Sequence, residues 1–332
     1  MGVCVVYLGG FGRSGSTLVE RVLGSVPGWV NVGELVDLAR SVAPRDELCG
    51  CGRSFSSCPL WNEVGRLAFG GWSEEVLARI RSSHHASARQ RHLPGLLRPR
   101  GEPSAALASL RADYSAIYRA VAEVTGARVV VDASKGPALG QALAGAPGVD
   151  LRVLNVVRDP RAVAWSWQRE VLRPHDVSGT DTMWRIPARR SAAQWSALQL
   201  EMELVARAGV PSARLRYEDF VADPVGSVVA ASTALGLPVV ADELPGTDDG
   251  GLVLEPSHGL SGNPSRFRSG TVRLRRDDSW TTDMPAAARA VVTGLTLPLL
   301  ARYGYAGARA PRPPQQRTHA DVRHGLDERI AK

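Results

Sequence analysis

Lysine is almost missing from this chain: among 332 residues, 40 of them basic, only Lys135 and Lys332 are lysine. Asparagine and isoleucine are also scarce, which points to a coding bias toward GC-rich codons rather than a demand for guanidinium groups. Arginine clusters such as Arg89 with Arg91, and Arg273 to Arg276, are therefore read as solvated surface. Lys135 stands out against that background. Long apolar runs are missing too. No uninterrupted apolar segment of about 20 residues occurs, as a membrane-spanning helix would need. The first residues lack a cationic region followed by an apolar run and a cleavage site, and Met-Gly-Val-Cys-Val-Val lacks the hydroxyl residue of a myristoylation signal. A soluble, cytoplasmic protein without a membrane partner is expected.

Cysteine is sparse, and four in a chain this long do not make a disulfide framework. Cys4 falls in an apolar run and is read as a small packed hydrophobe. Cys49, Cys51 and Cys58 lie in LCGCGRSFSSCPLW, a spacing that fits no zinc pattern well and has no histidine close by. That stretch is expected to be a structural loop without metal. What the chain does have is 44% hydrophobic residues, enough for a sizeable core, and a net charge of +7, which favours anionic partners. No aromatic-studded basic strand or recognition helix points to nucleic acid.

The chemistry gathers at Leu8-Gly-Gly-Phe-Gly-Arg-Ser-Gly-Ser-Thr-Leu18. The apolar run Val3 to Leu8 reads as a buried parallel strand, and Leu18, Val19, Val22 and Leu23 fall on one helix face. A strand, a glycine-rich turn and a helix N-terminus make an anion site, because backbone N–H groups point outward at the positive end of the helix dipole. Gly10, Gly15 and Thr17 take the positions of a nucleotide P-loop, but Ser16 stands where the lysine would be. Without that lysine the loop cradles a phosphate but is poorly equipped to move a γ-phosphoryl group. Arg13 supplies a cation three residues earlier.

Further strands end in polar residues. Trp29 to Gly33 runs into Glu34, whose plainest role is to cap or start a helix over Leu35 to Val42. Residues 60 to 125 read as a helical insertion: Trp72 to Ile80 and Ala105 to Val124 have helical spacing, and His84 to Pro103 is a polar connection with exposed histidines. Arg128 to Asp132 is a strand leading to Ser134 and Lys135, on the edge where open α/β sheets bind ligands. Leu151 to Val157 is another, followed by Arg158-Asp-Pro160 and a helix that carries Ser166. Arg158 and Ser166 can converge on one phosphate as a guanidinium fork with a hydroxyl. Arg189 to Ala208 is an amphipathic helix, and Ala213 to Phe220 is a strand ending in Tyr217-Glu-Asp. Val228 to Leu235 is a helix stopped by Gly236. Residues 241 to 256 form an acidic loop, His258 to Gly270 a turn-rich stretch in which His258 stabilises a turn, Met284 to Tyr303 a last helix, and 306–332 a polar tail.

Arg13-Ser-Gly-Ser-Thr17 after the first strand resembles the 5′-phosphosulfate loop of the sulfotransferases that use 3′-phosphoadenosine 5′-phosphosulfate (PAPS). The strand–Arg158-x-Pro–helix–Ser166 arrangement looks like that family's 3′-phosphate motif, including its interval. The resemblance implies an α/β fold with a central parallel sheet flanked by helices, P-loop-like, in one domain over 1–305. It also implies donor binding by Gly12, Arg13, Ser14, Gly15, Ser16, Thr17, Leu18, Arg158 and Ser166, with Tyr217 beside the adenine and Arg266, Arg268 and Gly270 in a late closing loop before Trp280. Glu34 is similar to the base glutamate that tyrosylprotein sulfotransferases place after the same loop. Lys135 and Arg13 would sit at the sulfuryl group with Ser134. The cytosolic branch carries a catalytic histidine in the turn that here holds Lys135, and none occurs here, which leaves the base assignment open between Glu34 and another group.

The implied reaction is sulfuryl transfer from PAPS to an acceptor hydroxyl, releasing adenosine 3′,5′-bisphosphate and needing no metal. A specialised metabolite or glycan is the expected acceptor, and a homodimer is compatible with this reading. A P-loop small-molecule kinase is the alternative enzyme, against which Ser16 speaks. A nucleotide-binding regulatory protein without turnover is the third class.

Overall fold

The computed structural model describes residues 2–99, 101–169, 185–248 and 251–306. Apart from Ala306, the tail expected over 306–332 lies outside them. The centre is a sheet of five parallel strands: β1 (Val3–Gly9), β2 (Trp29–Gly33), β3 (Val129–Lys135), β4 (Val149–Val157) and β5 (Ser212–Arg216), in the order β2-β3-β1-β4-β5. β1 lies in the middle, and Val5, Val6, Tyr7 and Leu8 are wholly buried. Both faces of the sheet are covered, so the strand reads as one continuous apolar run rather than an alternation.

The pleat divides that run between two cores. Val6 and Leu8 face α1 (Ser16–Leu23) and pack with Val19, Val22 and Leu23. Val5 and Tyr7 face the opposite core, which holds the helices inserted between β2 and β3: α2 (Pro59–Phe69), α3 (Glu74–Ser87), α4 (Leu93–Leu97) and α5 (Ala105–Thr125). In α5, Leu110, Tyr114, Ile117, Tyr118 and Val121 repeat at helical spacing and are buried. Burial of each contributes roughly 1.5–3 kcal/mol. Ser104 accepts the Leu107 N–H at 3.3 Å to start the helix, and Gly126 ends it in the left-handed region. After β3 come α6 (Pro137–Leu143), α7 (Pro160–Ser166), α8 (Ala188–Arg207), α9 (Tyr217–Ala222) and α10 (Pro224–Ala234). A small antiparallel sheet follows, β6 (Thr247–Asp248), β7 (Gly251–Leu254) and β8 (Gly270–Val272), and then α11 (Trp280–Asp283) and α12 (Ala286–Arg302).

The chain runs from β1 to one edge of the sheet, returns through β3, and crosses to the other side with β4 and β5. The order therefore reverses at β1, and the carboxyl ends around it form the crevice where such sheets bind ligands. No helix among the described residues is long and apolar enough to cross a membrane.

Five local readings change. Leu35–Val42 is not an α-helix but a 3-10 turn, Leu35–Asp37, followed by a wide π-type turn, Leu38–Val42. α3 continues through His84 and His85 to Ser87, and α4 breaks what reads as a polar connection. Tyr217 to Phe220 starts a helix rather than ending a strand, and the acidic loop contains β7. The largest change concerns Cys49, Cys51 and Cys58: the histidine that sequence proximity does not provide is supplied by the fold, with His258 Nδ1 lying 3.2 Å from Cys58 Sγ.

Candidate active site

Each core strand delivers one candidate residue from its carboxyl end. After β1, Gly10 takes a φ of 141°, and a Cβ there would meet the Val156 carbonyl oxygen at 2.5 Å. Gly15 takes a φ of 86°, and a Cβ there would stand 2.2 Å from the Tyr217 ring. The loop is thus threaded between β4 and the end of β5, with room for backbone only. Arg13 itself adopts a φ of 72°, a left-handed conformation that costs a non-glycine residue roughly 1–3 kcal/mol and tends to persist at functional sites. α1 begins at Ser16, so the Ser16 and Thr17 amides are among those a helix leaves without an internal acceptor, whereas the Leu18 N–H donates to the Gly15 carbonyl at 3.0 Å. Ser14 is wholly buried, and its Oγ has no partner among the described residues.

Arg158, at the end of β4, joins the loop to Tyr217 at the end of β5. Its Nη1 donates to the Arg13 carbonyl at 3.1 Å, and its guanidinium carbon lies 4.9 Å from the Tyr217 ring centroid. Its Nη2 faces the Asp277 carboxylate at 3.7 Å. The turn is set by Glu218, which accepts the Asp159 N–H at 3.0 Å and the Tyr305 hydroxyl at 2.6 Å. Ser166 is buried at the last turn of α7. Arg13 stacks over Trp167 at 5.0 Å, and Trp167 Nε1 donates to the Gly12 carbonyl at 3.1 Å. Burial, and then the like charge of Arg169, lower the Arg13 pKa, so an anion placed there relieves an unfavourable field.

On the other side of β1, Gly9 and Lys135 are register partners across the β1–β3 ladder. Lys135, with a φ of 67°, forms an ion pair through Nζ with Glu34 Oε1. Glu34 stands at the N-cap position of the 3-10 turn, as its plainest reading has it, yet its side chain makes no capping bond. It turns toward the glycine-rich loop instead: a Cβ on Gly262 would lie 2.8 Å from Glu34 Oε1 and 3.3 Å from Thr17 Oγ1. Ser134 is spent on structure. Its Oγ donates to Asp132 at 2.5 Å and accepts the Val36 N–H at 2.9 Å. Asp132 also accepts the Tyr118 hydroxyl at 2.6 Å, and burial lifts its pKa to about 6 against the opposing pull of these bonds.

A cavity of about 850 Å³ opens beside Tyr217 and Leu18, and Arg268, Thr271, Arg273 and Arg275 close its far wall. Arg268 lines this cavity, and Gly270 begins β8 in a left-handed conformation. Arg266 is different: only 1% exposed, it donates to the carbonyls of Gly262 at 3.3 Å and Leu48 at 3.1 Å, so its role is to anchor the segment. Arg273 and Arg275 are exposed, as sequence context has them, and they also line the cavity beyond β8.

Three groups escape sequence reasoning. Glu20 is buried beneath the site, its pKa pushed up to about 8 by burial and drawn down in part by Lys135. The signal was an acid on the apolar face of α1. Arg21, next to it, donates to the Ser265 and Glu255 carbonyls, each at 3.0 Å, and ties the late segment to α1. His258 joins the three cysteines, with all four ligand atoms within 4.8 Å of one another. Within that cluster the neighbouring Cys49 thiol, and then His258 and the Trp61 N–H, favour the Cys58 thiolate and lower its pKa against the effect of burial, while the Cys49 pKa is raised.

Comparison with known proteins fits this geometry. The model of the Sulfotransferase family matches residues 6–242, from β1 past the Tyr217 turn. Among solved structures, the sulfotransferase domain from the Synechococcus PCC 7002 olefin synthase is similar at 18% identity, covering 90% of this chain and 94% of that one with a TM-score of 0.48. The sulfotransferase domain from the curacin biosynthetic pathway is similar at 16% identity, covering 90% and 98% with a TM-score of 0.48. Sulfotransferase STF9 from Mycobacterium avium is similar at 11% identity, covering 91% and 77% with a TM-score of 0.45. No protein among the curated relatives searched matches. The family match over residues 6–242, which spans the glycine-rich loop after β1 and the guanidinium at the end of β4, establishes that the chain belongs to the sulfotransferase family.

Proposed function

We propose that the chain moves the sulfuryl group of PAPS to a hydroxyl of a small-molecule acceptor, a specialised metabolite or a glycan, within one catalytic unit over 1–305. The observation that carries the reading is the contact of Arg158 with the Arg13 carbonyl at 3.1 Å beside Tyr217, two anion-binding strand ends meeting next to an aromatic wall. The fit to such a donor is supported by the unpartnered buried Ser14 Oγ and by the cavity beside Leu18 and Tyr217. Gly12 to Leu18 would hold the 5′-phosphosulfate, and Arg158 and Ser166 the 3′-phosphate. Tyr217 would flank the adenine, with Arg268 and Gly270 in the covering segment. The donor contributes the sulfuryl group and a phosphate leaving group.

In-line transfer needs alignment and charge stabilisation more than covalent chemistry. The new O–S bond forms as the bond between sulfur and the 5′-phosphate oxygen breaks, and the electron pair stays on that oxygen. Arg13, Lys135 and the loop amides oppose the charge that develops there. Glu34 receives the acceptor's proton. Its ion pair with Lys135 keeps the carboxylate and the cation side by side until substrates separate their tasks. The setting we infer is cytoplasmic, with neither nucleic acid nor membrane as partner.

Thermal-shift titration with adenosine 3′,5′-bisphosphate, ATP and GTP, with and without Mg²⁺, tests the reading. Metal-independent stabilisation by the bisphosphate, followed by transfer of labelled sulfate from PAPS to a hydroxyl acceptor, is the expected outcome. Preferential binding of Mg-ATP would overturn it in favour of a kinase, and bisphosphate binding without transfer to any acceptor in favour of a regulatory protein.

A further inference from the structure

The cysteines of the 49–58 loop and His258 are separated by about 200 residues in sequence, yet they face one another. Cys49 and Cys58 Sγ lie 3.6 Å apart, Cys51 and Cys58 Sγ 3.8 Å, and His258 Nδ1 lies 3.2 Å from Cys58 and 3.8 Å from Cys49. With Zn–S near 2.3 Å and Zn–N near 2.0–2.1 Å, the edges of a tetrahedron around zinc are about 3.8 Å between sulfurs and about 3.6 Å between sulfur and nitrogen. Three of the four edges, at 3.6, 3.8 and 3.8 Å, fall within about 0.2 Å of those figures, the His258–Cys58 edge is shorter at 3.2 Å, and all four ligand atoms lie within 4.8 Å of one another. A disulfide would bring one pair to about 2.05 Å and leave the others apart. All three thiols here are free.

The surroundings suit a structural ion as well. Cys49 and Cys58 are wholly buried, and Cys51 and His258 are half-buried. Cys58 is the N-cap of α2, at the positive end of the helix, where a thiolate is favoured. Trp61 Nε1 donates to the His258 carbonyl at 2.9 Å and fixes the backbone that presents the ring. Four protein ligands, three of them sulfur, leave no open position, which is the donor set of a closed structural site rather than a catalytic one.

We propose that Cys49, Cys51, Cys58 and His258 bind one zinc ion that fastens the late segment to the loop before α2. Binding releases the thiol protons to solvent, and the His258 ring gives the Nδ1 lone pair. The ion completes a seam that already includes Gly50 N–H to the Gly259 carbonyl at 3.0 Å and Arg266 to the Leu48 carbonyl. Two residues after His258, Leu260 donates to the Val32 carbonyl at 2.9 Å and accepts the Glu34 N–H at 2.8 Å, which extends the edge of the sheet. The zinc therefore holds Gly262 against Glu34 and Thr17. That last consequence rests on the sulfuryl-transfer reading, whereas the site itself does not.

Elemental analysis of the full chain, purified reduced and without added metal, is expected to find zinc at about one equivalent, released when a mercurial titrates the thiols. Exchange for Co²⁺ should give the visible absorption of a tetrahedral thiolate site and a sulfur-to-cobalt charge-transfer band. Cys58→Ser should lose the zinc and the cobalt bands, whereas Cys4→Ser, in β1, should keep both. His258→Cys, which preserves four ligands, should retain the metal if Cys58→Ser proves too unstable to purify. Zinc well below one equivalent that Cys58→Ser does not change would overturn the site. So would a metal-free native protein whose mass shows a disulfide among the three cysteines. These measurements read metal, so they stand whether or not the chain transfers sulfate.

Discussion

The carboxyl edge of the sheet and the late segment from 255 to 280 both face the same crevice, but they are held there by different means. At the sheet edge, Arg13, Glu34, Arg158 and Tyr217 each follow a strand within a few residues and Lys135 ends one, so strand pairing sets much of their spacing. The late segment has little regular structure and depends on side chains that reach across the molecule: Arg21 to the Glu255 and Ser265 carbonyls, Trp61 to the His258 carbonyl, and Arg266 to the Leu48 carbonyl. In the proposed reaction, chemistry belongs to the rigid edge and enclosure to the tethered wall. Catalytic groups need placement within a fraction of an ångström, and a packed sheet provides it more reliably than a loop.

Substitutions can break that division. The largest effect is expected from Glu34→Gln, which should lower turnover about 10²–10⁴-fold while leaving bisphosphate affinity nearly unchanged. Single-turnover kinetics beside a binding titration separate the two quantities, and unchanged turnover would remove Glu34 as the base. Gly15→Val should abolish bisphosphate binding in calorimetry, because its side chain would enter the Tyr217 ring from a left-handed backbone. Arg158→Ala should weaken the bisphosphate by about 1.5–3 kcal/mol, the range of a hydrogen bond to a charged group. Arg268→Ala, on the tethered wall, should cost only about 0.2–1 kcal/mol in the same titration, as exposed charge pairs do. Equal losses for Arg158→Ala and Arg268→Ala would erase the distinction between edge and wall.

A smaller effect concerns Glu20, beneath the edge. Its folded pKa, about 8, lies above the ordinary value of 4.5, so between those values the folded state holds a proton that the unfolded state has lost. Stability must therefore fall as pH rises through that window. Glu20→Gln removes the proton linkage, and its melting temperature should gain on that of the original chain from pH 5 to pH 8. A constant difference across that range would show that Glu20 is ionised in the folded protein.

Much of the edge was legible because it is local. Val3 to Leu8 followed by glycines and a hydroxyl pair announces strand, turn and helix within twenty residues, and Arg158-Asp-Pro160 repeats the logic on β4. The wall was legible only in part. Arg268 lines the cavity and Arg266 is turned inward, while Arg273 and Arg275 are exposed as expected and line the cavity as well. Which face a loop arginine presents depends on the β7–β8 pairing, and no periodicity in the segment encodes it. Glu20 shows the same limit in a helix: the apolar spacing of α1 marks its buried face, but not that an acid would share it.

By itself, the sequence determined the parallel α/β sheet, the order of its strands along the chain and the residues at their carboxyl ends, since these follow from short-range pattern and backbone chemistry. Tertiary structure alone decided that Glu34 pairs with Lys135 rather than capping its own turn, that Arg158 reaches the Arg13 loop, and that His258 completes a cluster with cysteines two hundred residues away. Those contacts join groups far apart in the chain, and their proximity exists only once burial of the two cores has overcome the entropy that keeps distant segments apart.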